Sequence, residues 1–237
     1  MTAEQVVDSL FAAVGKPLRS EVLTFDPDGR RPANTFLNFG VPRRAWEFTG
    51  MANERDRPAL ALPMAQNIVD LLQSFGWRES RQDPITVREQ SPTVFQPLML
   101  GNGLVVGNRI ARLSDDSAIT ELSLGDAKLE QTVRQVFLRT LSREPSEKEV
   151  EVFSAVLAEG YSDRRLPGAP VNKPRNYRTT VSWANHLSPE ATEIKYEVEK
   201  LVREGDPPTQ RLTDDWRQRM EDVVWALVNS PEFVFVP

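Results

Sequence analysis

The stretch FLRTLSREPSEKEVEVF, residues 137–153, decides the fold class. Just upstream, Val133, Val136, Phe137 and Leu141 recur at i, i+3, i+4 and i+8, the apolar stripe of a helix. Arg143-Glu144-Pro145 then interrupts it, because proline removes a backbone donor and collides with the preceding turn. Ser146 and Glu149 follow at the spacing of a capping box, ahead of Val150, Phe153 and Leu157. Two helices joined by so short a turn pack antiparallel, so the segment reads as a helical hairpin.

Working outward, the same signals recur. Ser114 reads as the cap of a short helix over 115–122, with Asp115 and Asp116 in its favourable first turn, and Asp126 as the cap of the helix that enters the hairpin. Towards the C-terminus, Ser188-Pro189 opens a helix carrying Ile194, Val198, Leu201 and Val202. Thr213 precedes a last one that aligns Trp216, Met220, Val223, Val224 and Leu227, with Asp214 and Asp215 in its first turn, and Asn229-Ser230-Pro231 ends it. Towards the N-terminus, Val7, Leu10, Phe11 and Val14 form one helix stripe before Gly15. Ile68, Leu71, Leu72 and Phe75 form another between Pro63 and Gly76. A further helix is expected over about 97–112, weakened by Gly101, Gly103 and Gly107.

Residues 16–57, 77–94 and 160–180 show no sustained period and are rich in proline and arginine. Phe25, Phe36, Leu37, Phe39, Trp46 and Phe48 make the first of them an ordered, packing loop rather than a solvated one. The expectation is an all-α, irregular multi-helix bundle with long ordered Pro/Arg-rich loops and little or no β. It forms a single domain over 1–237, with possible sub-units 1–112 and 113–237.

Composition removes much chemistry. The 237 residues include no cysteine and one histidine, which excludes disulfides, thiol nucleophiles, iron–sulfur clusters and cysteine zinc sites. There is no G-x-S-x-G elbow, no H-E-x-x-H and no Walker sequence. Gly101-x-Gly103-x-x-x-Gly107 misses the dinucleotide spacing, and Asp26-Pro27-Asp28-Gly29 reads as a turn rather than a calcium loop. The net charge of −5 argues against a nucleic-acid partner. No apolar stretch is long enough for a transmembrane helix, and the first residues lack the layout of a signal peptide. No cofactor or metal is expected. Of the tryptophans 46, 77, 183, 216 and 225, Trp216 lies on an apolar stripe, and stacking platforms for sugars are the minor reading of the set.

Five strings carry a resemblance: 53–78 (NERDRPALALPMAQNIVDLLQSFGWR), 113–124 (LSDDSAITELSL), 137–153, 181–191 (VSWANHLSPEA) and 222–237 (DVVWALVNSPEFVFVP). Together they resemble the planctomycete-type domain of unknown function 1553. That resemblance implies the C-terminal part of a larger exported protein, hence an extracytoplasmic location at the periplasm or cell surface. It also implies companion domains, a cytochrome-c-like domain among them. It carries no catalytic residue. The residues nominated as a polar or ligand site are Trp183, Asn185 and His186, together with Arg55 and Arg57. The leading functional expectation is a non-catalytic structural or interaction domain. The alternative is a component that binds or degrades polysaccharide.

Overall fold

The structure is a computed structural model that describes residues 1–21, 23–25, 37–40, 42–52, 62–77, 93–173, 181 and 187–234. The fold is all-α. In chain order, the described elements are α1 (Ala3–Val14), β1 (Leu23–Phe25), β2 (Leu37–Gly40), α2 (Ala45–Ala52), α3 (Pro63–Ser74) and α4 (Phe95–Asn102). A π-helical turn (Val106–Ile110), α5 (Ala118–Leu124), α6 (Leu129–Leu141), α7 (Glu147–Ala158), α8 (Pro189–Glu204), α9 (Asp214–Val228) and α10 (Pro231–Val234) follow. The strands β1 and β2 form a small antiparallel pair, with Phe25 opposite Leu37 and an irregularity between Leu23 and Thr24.

The chain divides into two compact units that interleave along the sequence. One comprises Met1–Ser9, Pro17–Met99 and Asn176–Gly205; the other comprises Leu10–Lys16, Leu100–Arg175 and Asp206–Pro237. In the first unit α3 packs against α8, burying Ile68, Leu71 and Leu72 on one and Ala191, Ile194 and Val198 on the other. Two carboxylates distant in sequence start its helices. Leu62, the N-cap of α3, has no side-chain acceptor, and Pro63 has no N–H to offer. The buried Glu21 carboxylate fills the gap by accepting from Met64 N and Ala65 N, both at 2.8 Å. Asp8 likewise accepts from Ala45 N at 2.6 Å at the start of α2, and burial pushes its carboxyl pKa up against that bond.

The second unit is built on the α6–α7 hairpin, with α9 packed on both helices. The Ser146 Oγ accepts from Glu149 N, while the Glu149 carboxylate accepts from Ser146 N, so the capping box forms as the sequence requires. Ser142 turns the chain in the left-handed region at φ 55°. Phe137 and Phe153 meet edge to face across the hairpin at 5.1 Å, a geometry worth ~0.5–1.5 kcal/mol beyond the area buried. From α9, Trp216 is fully buried, with its Nε1 donating to Leu157 O at the end of α7 (3.0 Å).

Several expectations are corrected. The helix expected over 97–112 ends at Asn102, loses helical form at Gly103 and resumes to run into the π turn. Ser114 is not a helix cap: α5 starts after Ser117, whose Oγ accepts from Ile119 N, and Asp115 and Asp116 lie in the turn before it. Asp126 caps nothing either. Its carboxylate pairs with Arg165 (2.5 Å), and the backbone N–H of Lys128, just before α6, is met by the Gln131 side chain. Thr213 occupies the N-cap of α9 without a side-chain bond, and Phe75 is the C-cap of α3 rather than part of its body. Loop 16–57 contains β1, β2 and α2.

Candidate functional site

The nominated residues Arg55, Arg57, Trp183, Asn185 and His186 all lie outside the described residues. So does the stretch Asp26-Pro27-Asp28-Gly29, for which the sequence leads one to expect a turn. Among the described residues, the polar groups with the most developed surroundings are in the second unit, and they were not nominated from the sequence.

The first is Lys16, one residue beyond Gly15, which ends α1 at φ +69°. Only glycine takes that backbone conformation freely, and the turn sends the lysine inward. Its side chain is 2% exposed, and its Nζ donates to Arg109 O, to Arg112 O at 2.7 Å and to Asp206 Oδ2 at 3.1 Å. An ammonium has three donors, and all three are used. Burial holds the Lys16 pKa below the ordinary lysine value, with Asp206 pulling the other way. The two carbonyls lie at the C-terminal side of the π turn, where α-type bonding is broken and acceptors are left over. Asp206 N donates to Asn108 O in the same turn (3.0 Å), so Lys16 and Asp206 tie it from two sides.

A second tie is Asp115, whose side chain is 2% exposed. Its carboxylate accepts from Thr209 Oγ1 (2.5 Å), Arg211 Nε (2.9 Å) and Asn172 N (2.6 Å). Asn172 in turn donates its amide to Pro208 O (2.7 Å). These bonds join three segments that have no regular structure of their own, and Arg211 extends the set to Glu121 at 2.6 Å.

Arg164 is the third. Its guanidinium donates to Ser123 O (2.7 Å) and Gly125 O (2.6 Å) at the end of α5 and to Tyr161 O (2.6 Å) in the turn after α7, and it stacks 3.8 Å from the Tyr161 ring centroid. Burial pushes its pKa down from the ordinary arginine value. Nearer the surface, Arg143 is bidentate to Glu149 (2.7 and 3.0 Å) and also reaches Glu232 of α10 (2.6 Å). Those bonds from Arg143, joined by the Ser146 amide, hold the Glu149 carboxyl down at about 2.

What this chemistry can do is hold backbone in place. Each of these cations faces carbonyls or carboxylates of the chain itself. Among the described residues, no group of three or more His, Asp or Glu side chains is placed to hold a metal ion, and no helix is long and apolar enough to cross a membrane. An open groove of 470 Å³ runs along α8, lined by Tyr196, Glu199, Lys200, Arg203 and Glu204. Arg203 is already paired with Glu199 there at 2.7 Å.

A family model described as PSD1, a protein of unknown function (DUF1553), matches residues 1–157 of the 237. The chain belongs to the DUF1553 family. The matched range of this DUF1553 chain contains Lys16, Asp115 and the α6–α7 hairpin up to Leu157, one residue short of the end of α7, while Asp206, Arg211 and the NSPEF element at 229–233 lie beyond it. The resemblance read over nearly the whole sequence is thus shown for its first 157 residues. Comparison with curated proteins and with solved structures gave no match.

Proposed function

We propose that this chain is a non-catalytic structural or interaction domain of an exported, planctomycete-type multidomain protein. The observation that carries the reading is the use made of the buried charges. Lys16, Asp115 and Arg164 are directed at backbone carbonyls, backbone amides and each other's neighbouring loops, which is how a scaffold fixes irregular segments. A catalytic acid, base or nucleophile keeps a donor or acceptor open towards a substrate. Lys16 keeps none.

The setting of this domain, outside the cytoplasm and beside a cytochrome-c-like companion, is proposed from the family resemblance. Calorimetric titration of the chain against the haem-loaded companion domain encoded in the same reading frame tests it. Saturable one-to-one binding without turnover on a hydrolase and oxidoreductase substrate panel is expected. Reproducible turnover, abolished by one polar substitution that leaves the helical circular dichroism unchanged, would overturn the non-catalytic reading. A reading frame with neither an export signal nor a companion domain would overturn the setting.

A further inference from the structure

The chain contains ten asparagines, and only Asn102 is followed by glycine. That pair sits at a joint. Asn102 is the last residue of α4, Gly103 is not helical, and helical bonding resumes at Leu104 before the π turn. Asn102 is exposed, and among the described residues no hydrogen bond restrains its side-chain amide. Other described asparagines differ. Asn67 donates its amide to Pro63 O (2.6 Å), Asn172 to Pro208 O (2.7 Å), and Asn229 to both Leu100 O and Trp225 O (3.3 and 2.9 Å). The backbone just before the joint is fixed by α9: Leu100 O accepts from Asn229, and Gly101 O accepts from Trp225 Nε1 (3.0 Å). A held segment therefore ends in an unrestrained amide next to the one residue type that puts no Cβ beside the attacking nitrogen.

We propose that Asn102–Gly103 is a spontaneous modification site, at which the folded protein deamidates through a cyclic imide. The Gly103 backbone nitrogen attacks Cγ of Asn102. As the new C–N bond forms, the bond from Cγ to the side-chain amide nitrogen breaks, and ammonia leaves carrying the proton from Gly103 N–H. Water then opens the five-membered imide at either carbonyl, leaving aspartate or isoaspartate at position 102. No oxidant or cofactor is consumed. The product carries a carboxylate at the C-terminal end of α4, where the helix dipole disfavours negative charge, and the isoaspartate form adds a methylene to the backbone of the joint.

The test is incubation of the intact, folded chain at mildly alkaline pH and body temperature, followed by peptide mass spectrometry and native isoelectric focusing. The expected result is an acidic species gaining one negative charge, with amide replaced by acid at position 102, split between aspartate and isoaspartate, at least about tenfold faster than at Asn67, Asn172 or Asn229. Asn102→Gln, a change at an exposed position, should remove that species while leaving helical circular dichroism unchanged. Conversion at Asn102 no faster than at the three bonded asparagines would overturn the proposal. So would an acidic species that persists in Asn102→Gln.

Discussion

Lys16 is where a single side chain decides most. Its ammonium is buried against Asp206 and two carbonyls, so truncation takes Lys16 from a buried carboxylate and removes a donor from each of the carbonyls of Arg109 and Arg112, the latter still accepting from Ser114 N at 3.1 Å. Removing one partner of a buried pair costs about 3–5 kcal/mol, whereas replacing both by apolar groups costs far less. Lys16→Met should therefore lower the urea midpoint strongly, and adding Asp206→Leu to it should recover part of the loss. A double variant less stable than Lys16→Met would show that the pair is not what the lysine stabilises. The preceding residue is constrained differently. A Cβ at Gly15 would stand 2.6 Å from Ala118 Cβ with the backbone at φ +69°. Gly15→Ala is expected to destabilise by more than the ~1–2 kcal/mol of the left-handed backbone alone, read from the thermal midpoint.

At the scale of elements, the α6–α7 hairpin and the π turn make opposite predictions. In the hairpin, Ser146→Ala removes one half of a formed capping box and should cost about 1 kcal/mol in chemical denaturation. The Glu149 carboxyl is held at about 2 against an ordinary 4.5. A group depressed on folding contributes stability that is present above its unfolded value and is lost as pH falls through the folded one. The wild-type chain should thus lose stability between about pH 4.5 and 2 more steeply than Glu149→Gln, and equal slopes would contradict the assignment. In the π turn, a Cβ on Gly107 meets nothing within 4 Å and its backbone is not left-handed. Gly107→Ala should therefore raise stability by about 0.5–1 kcal/mol. The contrast also explains what was legible. The capping box of α7 and the stripes of α1, α3, α8 and α9 depend on residues three or four apart, so the sequence displays them. The break at Gly103 and the choice of Ser117 over Ser114 depend on more distant partners: Ser117 Oγ also donates to Val14 O, 103 residues away. Local spacing holds no trace of that bond.

For the whole molecule, the same limit applied to the ties that organise the second unit. Lys16 meets Arg109 across 93 positions and Asp206 across 190, and Asp115 meets Arg211 across 96. The helices these groups join are legible in the sequence and the groups are not, because a lone lysine after a helix-ending glycine and an aspartate pair before a helix look like ordinary caps. Interleaving gives this a measurable consequence. The second unit takes Leu10–Lys16 from one end of the chain, and that short segment contributes the buried Leu10, Phe11 and Val14 as well as Lys16. It also contributes Ala12 O and Ala13 O, which accept from Arg139 of α6. A fragment of residues 100–237 keeps the π turn and α5 to α10, α8 without its partner α3, but loses all of these partners from Leu10–Lys16. It should show helical circular dichroism with a broad, weakly cooperative melt, because the apolar stripes survive while the long-range closure does not. Joining residues 1–16 to its N-terminus through a flexible Gly/Ser linker should restore a sharp transition, and the same chain carrying Lys16→Met should not. Equally sharp melting of 100–237 alone would mean that the hairpin and α9 hold this unit without the segment around Lys16.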